Sequence, residues 1–157
     1  MITHLEDAVA AVVTAVLEED ATVAAVEYVV RSSTTRAEVP GNASVIAVMV
    51  QDLERPFGSN LVNATVQIYV ATPDNNENTP LSDHRLLNMA IERVFTPGTV
   101  VGVGGDEETV SEALAAEIES RITDHTGGGF ANLGWNSGRD DPYFQPSLRV
   151  LIGLVRD

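Results

Sequence analysis

Hydrophobic periodicity divides the chain into helical and extended segments. Leu5, Ala8, Val9, Val12, Val16 and Leu17 recur at three- and four-residue spacing, which predicts a helix. Thr3-His4-Leu5-Glu6 has the form of a capping box at its start. Glu18, Glu19 and Asp20 mark its end, because the macrodipole disfavours anions at a helix C-terminus. Val26 to Arg31 predicts a strand, followed by turn residues Ser32 to Thr35 and Pro40-Gly41-Asn42. Ala43 to Leu53 predicts a long strand, apolar at every position from Val45 to Val50, as for a strand buried on both faces. Arg55 to Asn60 forms a hairpin-like connection into the cleanest strand, Leu61 to Ala71. There Val62, Ala64, Val66, Ile68 and Val70 face one way, and Asn63, Thr65, Gln67 and Tyr69 the other.

A polar loop, Thr72 to Pro80, leads to a second helix capped by Ser82 or Asp83. Its apolar stripe is Leu86, Leu87, Ala90, Ile91, Val94 and Phe95, and Pro97-Gly98 ends it. Thr99 to Val103 predicts a short strand. A third helix runs from about Glu108 to Asp124, with Val110, Leu114, Ile118 and Ile122 four residues apart. Gly127 to Pro142 is glycine-rich and reads as a mobile loop. Pro146 to Arg156 closes the chain as a strand in which Leu148, Val150, Ile152 and Leu154 alternate. Strands joined by hairpin-length turns pair antiparallel, and the helices must cover an apolar sheet face. The expected fold is therefore α+β: one domain over residues 1–157, with an antiparallel sheet of about four main strands against two or three helices. Residues 99–144 read as an insertion and mobile loop region.

Composition narrows the function classes. With 23 acidic residues against 9 basic ones, the formal charge is -14. That argues against a general nucleic-acid binder, which needs a basic footprint, and against a polybasic membrane-surface protein. No apolar run approaches the length of a membrane span. The first residues carry no basic segment, so no secretory signal is expected. Cysteine is absent, which excludes disulfides, zinc thiolates and thiol nucleophiles. All nine basic residues are arginine. A strongly acidic, lysine-free chain is similar to the proteins of salt-accumulating haloarchaea and their viruses, where molar salt screens the self-repulsion.

Candidate chemistry is sparse. Asp74-x-Asn76-x-Asn78 imitates the start of a calcium loop, but Thr79 stands where glycine is required and Arg85 where a bidentate glutamate belongs. Gly102-Val103-Gly104-Gly105 lacks the rest of any phosphate-binding fingerprint, and the adjacent Asp106, Glu107 and Glu108 would repel a phosphate. His4, His84 and His125 each lie near a helix end and share no ligand spacing. No nucleophile elbow is present. No catalytic residue, cofactor or metal is expected. The remaining signal is one of association. Four of the eight aromatic residues, Phe130, Trp135, Tyr143 and Phe144, fall between positions 130 and 144, beside Arg139. Such a cluster is expected either of a loop that folds back over the core or of an anchor for another chain, because aromatic and arginine side chains dominate interface hot spots. The doubly apolar strand at Ala43–Leu53 exceeds what a small domain covers unaided. Val45, Ala47, Met49, Phe130, Trp135, Arg139, Phe144 and Arg149 are therefore the candidate interface residues. Arg139 and Arg149 are suited to gripping carboxylates of a neighbouring subunit; the alternative is that both are solvated surface residues. Val48 counts among the positions where an aspartate is expected to weaken assembly.

In layout the chain resembles the tail-terminator (tail-completion) proteins of long-tailed viruses. The likeness rests on a first helix, Leu5 to Leu17, and on strands like Val45 to Val50 and Val66 to Ala71. A helix like Leu86 to Phe95 and a last strand like Leu148 to Val155 complete it. The segment Thr99 to Gly138 departs from the compact pattern of that family. The resemblance implies a ring, usually a hexamer, that caps the tail tube at its head-proximal end and joins it to the neck. Its partners would be copies of itself, the tail-tube protein and a neck or head-completion protein. DNA would pass through the lumen without specific binding, and no membrane would be involved. The setting would be the virion, assembled in the host cytoplasm. Two alternatives remain: another neck adaptor of a tailed virus, or a halophilic cytoplasmic enzyme or ligand-binding domain.

The charge generates a prediction. Screening extends about 3 Å at 1 M salt but about 10 Å at 0.1 M. Dialysis to ~0.1 M salt is expected to lower the melting temperature or dissociate the assembly; unchanged melting and mass would refute the halophilic reading.

Overall fold

The computed structural model describes residues 4–19, 28–30, 45–73, 81–96, 100–101, 108–136, 139–140, 143–144 and 147–157. Among them the order of elements is α1 (His4–Leu17), β1 (Tyr28–Val30), β2 (Val45–Glu54), β3 (Leu61–Pro73), α2 (Leu81–Val94), β4 (Val100–Val101), β5 (Glu108–Thr109), α3 (Val110–Arg121), β6 (His125–Asn136), β7 (Arg139–Asp140), β8 (Tyr143–Phe144) and β9 (Ser147–Arg156). The α+β class is as expected, with four long strands, β2, β3, β6 and β9, carrying the sheet. The expectations on Thr3, on residues 32–42, on the Asp74–Asn78 loop, and on Pro97-Gly98 and Gly102–Gly105 lie outside the described residues.

β3 is the centre of the sheet because its alternation is uninterrupted. Val62, Ala64, Val66, Ile68 and Val70 are all buried. On one side β2 pairs antiparallel, setting Ile46 opposite Val70 and Val48 opposite Ile68. On the other side β9 pairs antiparallel, setting Val62, Ala64, Val66 and Ile68 opposite Leu154, Ile152, Val150 and Leu148. Directly opposed residues share a face, so three apolar stripes merge into one buried surface. β2 keeps pace through a bulge between Val50 and Asp52, which shifts parity and brings Leu53 opposite Ala64, packed against the core. β1 departs from the antiparallel expectation. It pairs parallel with β2, Tyr28 opposite Val45. A parallel pair needs a crossover of a dozen or more residues, and residues 31–44 are long enough to supply it.

The largest difference lies in the glycine-rich stretch. Residues 125–136 form β6, an extended strand paired along β9, where a mobile loop was expected. β7 and β8 pair in the same register as the adjoining ends of β6 and β9: Arg139 faces Phe144 as Asn136 faces Ser147. β8 in turn pairs with Thr72 and Pro73 at the end of β3. Glycine usually weakens a strand, but here it has local causes. Two bulges interrupt the ladder, between Gly127 and Gly129 and between Asn132 and Gly134. Gly129 and Gly134 carry φ of 118° and 121°, a region that side chains disfavour. Gly127 lies under α3, where a Cβ would sit 3.0 Å from Ala115 Cα and 3.1 Å from Ile118 Cδ1.

All three helices lie on the same face of the sheet. α3 crosses β6 at Gly127, which is opposite core residue Leu154. Phe95, just beyond α2, meets Phe130 edge-to-face at 5.7 Å and 84°, and Phe130 is opposite Ile152. α1 packs against β2 and α3, and Val9, Val12, Val13, Val16 and Leu17 are buried. Burial of Val13 and Thr14 as well shows that α1 is covered on more than one side. The Thr14 hydroxyl is satisfied by donating to the Ala10 carbonyl at 2.8 Å. α3 is started by a capping box, with Thr109 Oγ1 accepting from the Glu112 amide and Glu112 Oε2 accepting from the Thr109 amide, each at 3.1 Å. Its buried Val110, Leu114, Ile118 and Ile122 belong to the same core cluster as the other helices and the main strands. α3, which lies within the segment read as an insertion, is thus built into that core. α2 starts at Leu81, so Ser82 and Asp83 lie inside it and do not cap it. It buries Leu87, Ala90, Ile91 and Val94 as expected but leaves Leu86 exposed.

Gly127→Val is expected to cost about 1–3 kcal/mol through overpacking against Ala115. Phe95→Ala is expected to cost about 3–5 kcal/mol by removing a fully buried ring. Denaturant unfolding of each variant at constant salt measures both.

Candidate assembly surface

With the helices on one side, the alternate residues of the strands meet on the other. Successive rows across this outer face are Ala47–Tyr69–Ser147–Asn136 and Met49–Gln67–Arg149–Gly134. Farther along come Thr65–Leu151–Ala131 and Asn63–Gly153–Gly129. Ala47, Met49, Thr65, Tyr69 and Leu151 are half-buried, Arg149 is exposed, and Gln67 is buried at 8% exposure. A surface of this mixed apolar and amide character, with one guanidinium, is suited to contact another protein.

The eight residues nominated from the sequence do not form one patch. Val45, Ala47 and Met49 take alternate register positions on β2, opposite Ala71, Tyr69 and Gln67, and Arg149 lies opposite Gln67 on β9. These four share the outer face. Arg139 and Phe144 are paired with each other at the β7–β8 end, where Phe144 is also opposite Thr72. Trp135 is opposite Leu148, in the register of the core-facing positions. Phe130 is half-buried, and its contact with Phe95 makes it part of the packing between helix and sheet. Val48 is fully buried under the helices, so it is no interface position. The reading of β2 as apolar on both faces needs the same refinement: Ile46 and Val48 are sealed, whereas Ala47 and Met49 are partly open. Tyr69, Gln67 and Leu151 were not nominated, because only the pairing of β2, β3 and β9 sets them beside Met49 and Arg149.

The described residues present little else for chemistry. No group of three or more histidine or acidic side chains among them is placed to hold a metal ion. His125 follows α3 and its Nδ1 lies 2.9 Å from the Thr123 carbonyl, as suits a ring fixed at a helix end. Arg121 pairs with Glu117 at 2.6 Å one turn earlier on α3, an exposed contact that complements the dipole of that helix end. No helix among the described residues is long and apolar enough to cross a membrane. The fold and site define a two-layer α+β domain whose sheet keeps one partly apolar face outside the core. No protein-family model matches the chain, and no curated protein matches it.

Met49→Asp and Leu151→Asp are expected to leave the circular dichroism spectrum intact and to weaken self-association. Val48→Asp is expected to unfold the chain instead, since it buries an unpaired carboxylate. Sedimentation alongside circular dichroism separates the two outcomes.

Proposed function

We propose that the chain is a structural virion protein that assembles into a ring at the head-proximal end of a viral tail tube. It terminates the tail and joins it to the neck, and it performs no catalysis. The observation that carries this reading is the one-sided helical layer, which leaves the Met49–Gln67–Arg149 face of the sheet without a cover among the described helices. A face of that kind is used when another polypeptide completes the burial. The order of the elements supports the reading as well: an N-terminal helix, the β2–β3 hairpin, a helix, and a closing strand that returns beside β3.

The charge fits a conduit. A subunit with a formal charge of -14 repels the phosphate backbone, so a ring of such subunits offers DNA a lumen in which it slides and does not stick. Six copies of a 16.7 kDa chain would give a particle of about 100 kDa. Its neighbours would be the tail-tube protein on one side and a neck protein on the other.

Gold-labelled antibody against the protein is expected to mark the head–tail junction of purified particles. Label on the capsid shell or at the distal tail tip, or particles that carry none, would overturn the assignment.

A further inference from the structure

The open face of the sheet carries its two signs of charge on different strands. The bulge between Val50 and Asp52 reverses the parity of β2, so Asp52 and Glu54 take outer positions opposite Thr65 and Asn63, while Leu53 turns to the core. Without the bulge both carboxylates would fall on the side that the helices cover. Across β3, Arg149 of β9 takes the outer position opposite Gln67. All three charged residues are exposed. In the four rows from Ala47 to Glu54, no other charged residue stands at an outer position on β2, β3, β9 or β6. No ion pair joins the three within the chain. Two strand spacings, roughly 10 Å, and one row, about 7 Å, separate Arg149 from Asp52.

Two neighbouring rows therefore form a rectangle. Met49 and Asp52 are its corners on β2, Arg149 and Leu151 its corners on β9, and Gln67 and Thr65 lie between them on β3. The charges occupy one diagonal and the apolar side chains the other. A two-fold axis lying just above the face, along the Met49–Leu151 diagonal, turns a second copy over onto the first. It sets Arg149 of each copy above Asp52 of the other, with Glu54 one row beyond. Met49 and Leu151, close to the axis, each meet their own counterpart. From these spacings the strands of the two sheets cross at roughly 70–110°, the orthogonal class of sheet packing.

The charges also select the occupant. A uniformly acidic partner would oppose Asp52 and Glu54, and a uniformly basic one would oppose Arg149. A second copy answers both signs at once. We infer that the free protein pairs face to face about this axis, with Arg149 of each copy on Asp52 of the other. The pair uses the open face on which the proposed function rests, but it does not need the ring. A ring with the tail tube on one side and the neck on the other is polar and has no such axis, so the pair describes the free protein and opens when the ring is built.

Arg149→Glu and Asp52→Arg each set like charges against one another at both symmetric sites. Each is expected to weaken self-association about tenfold or more in sedimentation at molar salt. Both positions are exposed, so melting temperatures are expected to stay at the wild-type value. An equimolar mixture of the two variants is expected to recover wild-type affinity, because in the mixed pair each site again holds one cation and one carboxylate. The recovered species is expected to have the mass of two 16.7 kDa chains. The inference is overturned by a monomeric wild-type protein under these conditions, by wild-type association of either variant, by a mixture that associates no better than its components, or by a recovered species larger than two chains. If the protein marks the head–tail junction of particles while either variant associates normally, the pair is wrong and the ring stands. Recovery in the mixture by a protein found elsewhere in the particle gives the reverse result.

Discussion

The packing of three helices onto a single face of the sheet is the constraint on which the rest of the structure depends. β3 provides five buried apolar residues in strict alternation, and β2 and β9 extend that surface sideways through register. Burial of a leucine, isoleucine or valine side chain is worth about 1.5–3 kcal/mol, so the merged stripe from Ile46 to Leu154 is where the fold gains most. Once the helices occupy that face, the opposite residues of the same strands are left outside. Core and outer face are therefore two consequences of one alternation.

The close approach of α3 to β6 shows how tightly that layer is held. Ala115 rides over Gly127 with no room for a Cβ between them, while Phe130 and Phe95 tie α2 to the same strand. Edge-to-face aromatic pairs of this kind add about 0.5–1.5 kcal/mol beyond their area. The bulges in β6 also bear on strand pairing. A long, regular, glycine-rich strand would invite edge-to-edge pairing with other chains, and bulges are one device by which sheets avoid it.

Much of the fold is legible in the residues themselves. Period-two patterns gave β3 and β9 with their buried positions, and the four-residue spacing of Val110, Leu114, Ile118 and Ile122 gave α3. β6 was not legible, for a physical reason. Its two bulges break the alternation, so that Gly127, Phe130, Asn132 and Trp135, opposite core positions on β9, follow no constant period. Its glycines look like loop residues until the packing of α3 and the positive φ values account for them. The candidate site was legible only in part: Ala47, Met49 and Arg149, nominated from residue type, lie on one face of the sheet, whereas Phe130 packs against Phe95.

The sequence by itself determined the α+β class, the identity of most core residues, and an acidic, cysteine-free surface, because periodicity and charge are local properties of the chain. Tertiary structure alone decided three further matters. It set β1 parallel to β2, drew residues 125–136 into the sheet beside β9, and placed Met49, Gln67 and Arg149 in one row. Each depends on which strand lies next to which, and strand pairing joins residues far apart in sequence through backbone hydrogen bonds that carry no mark of side-chain identity.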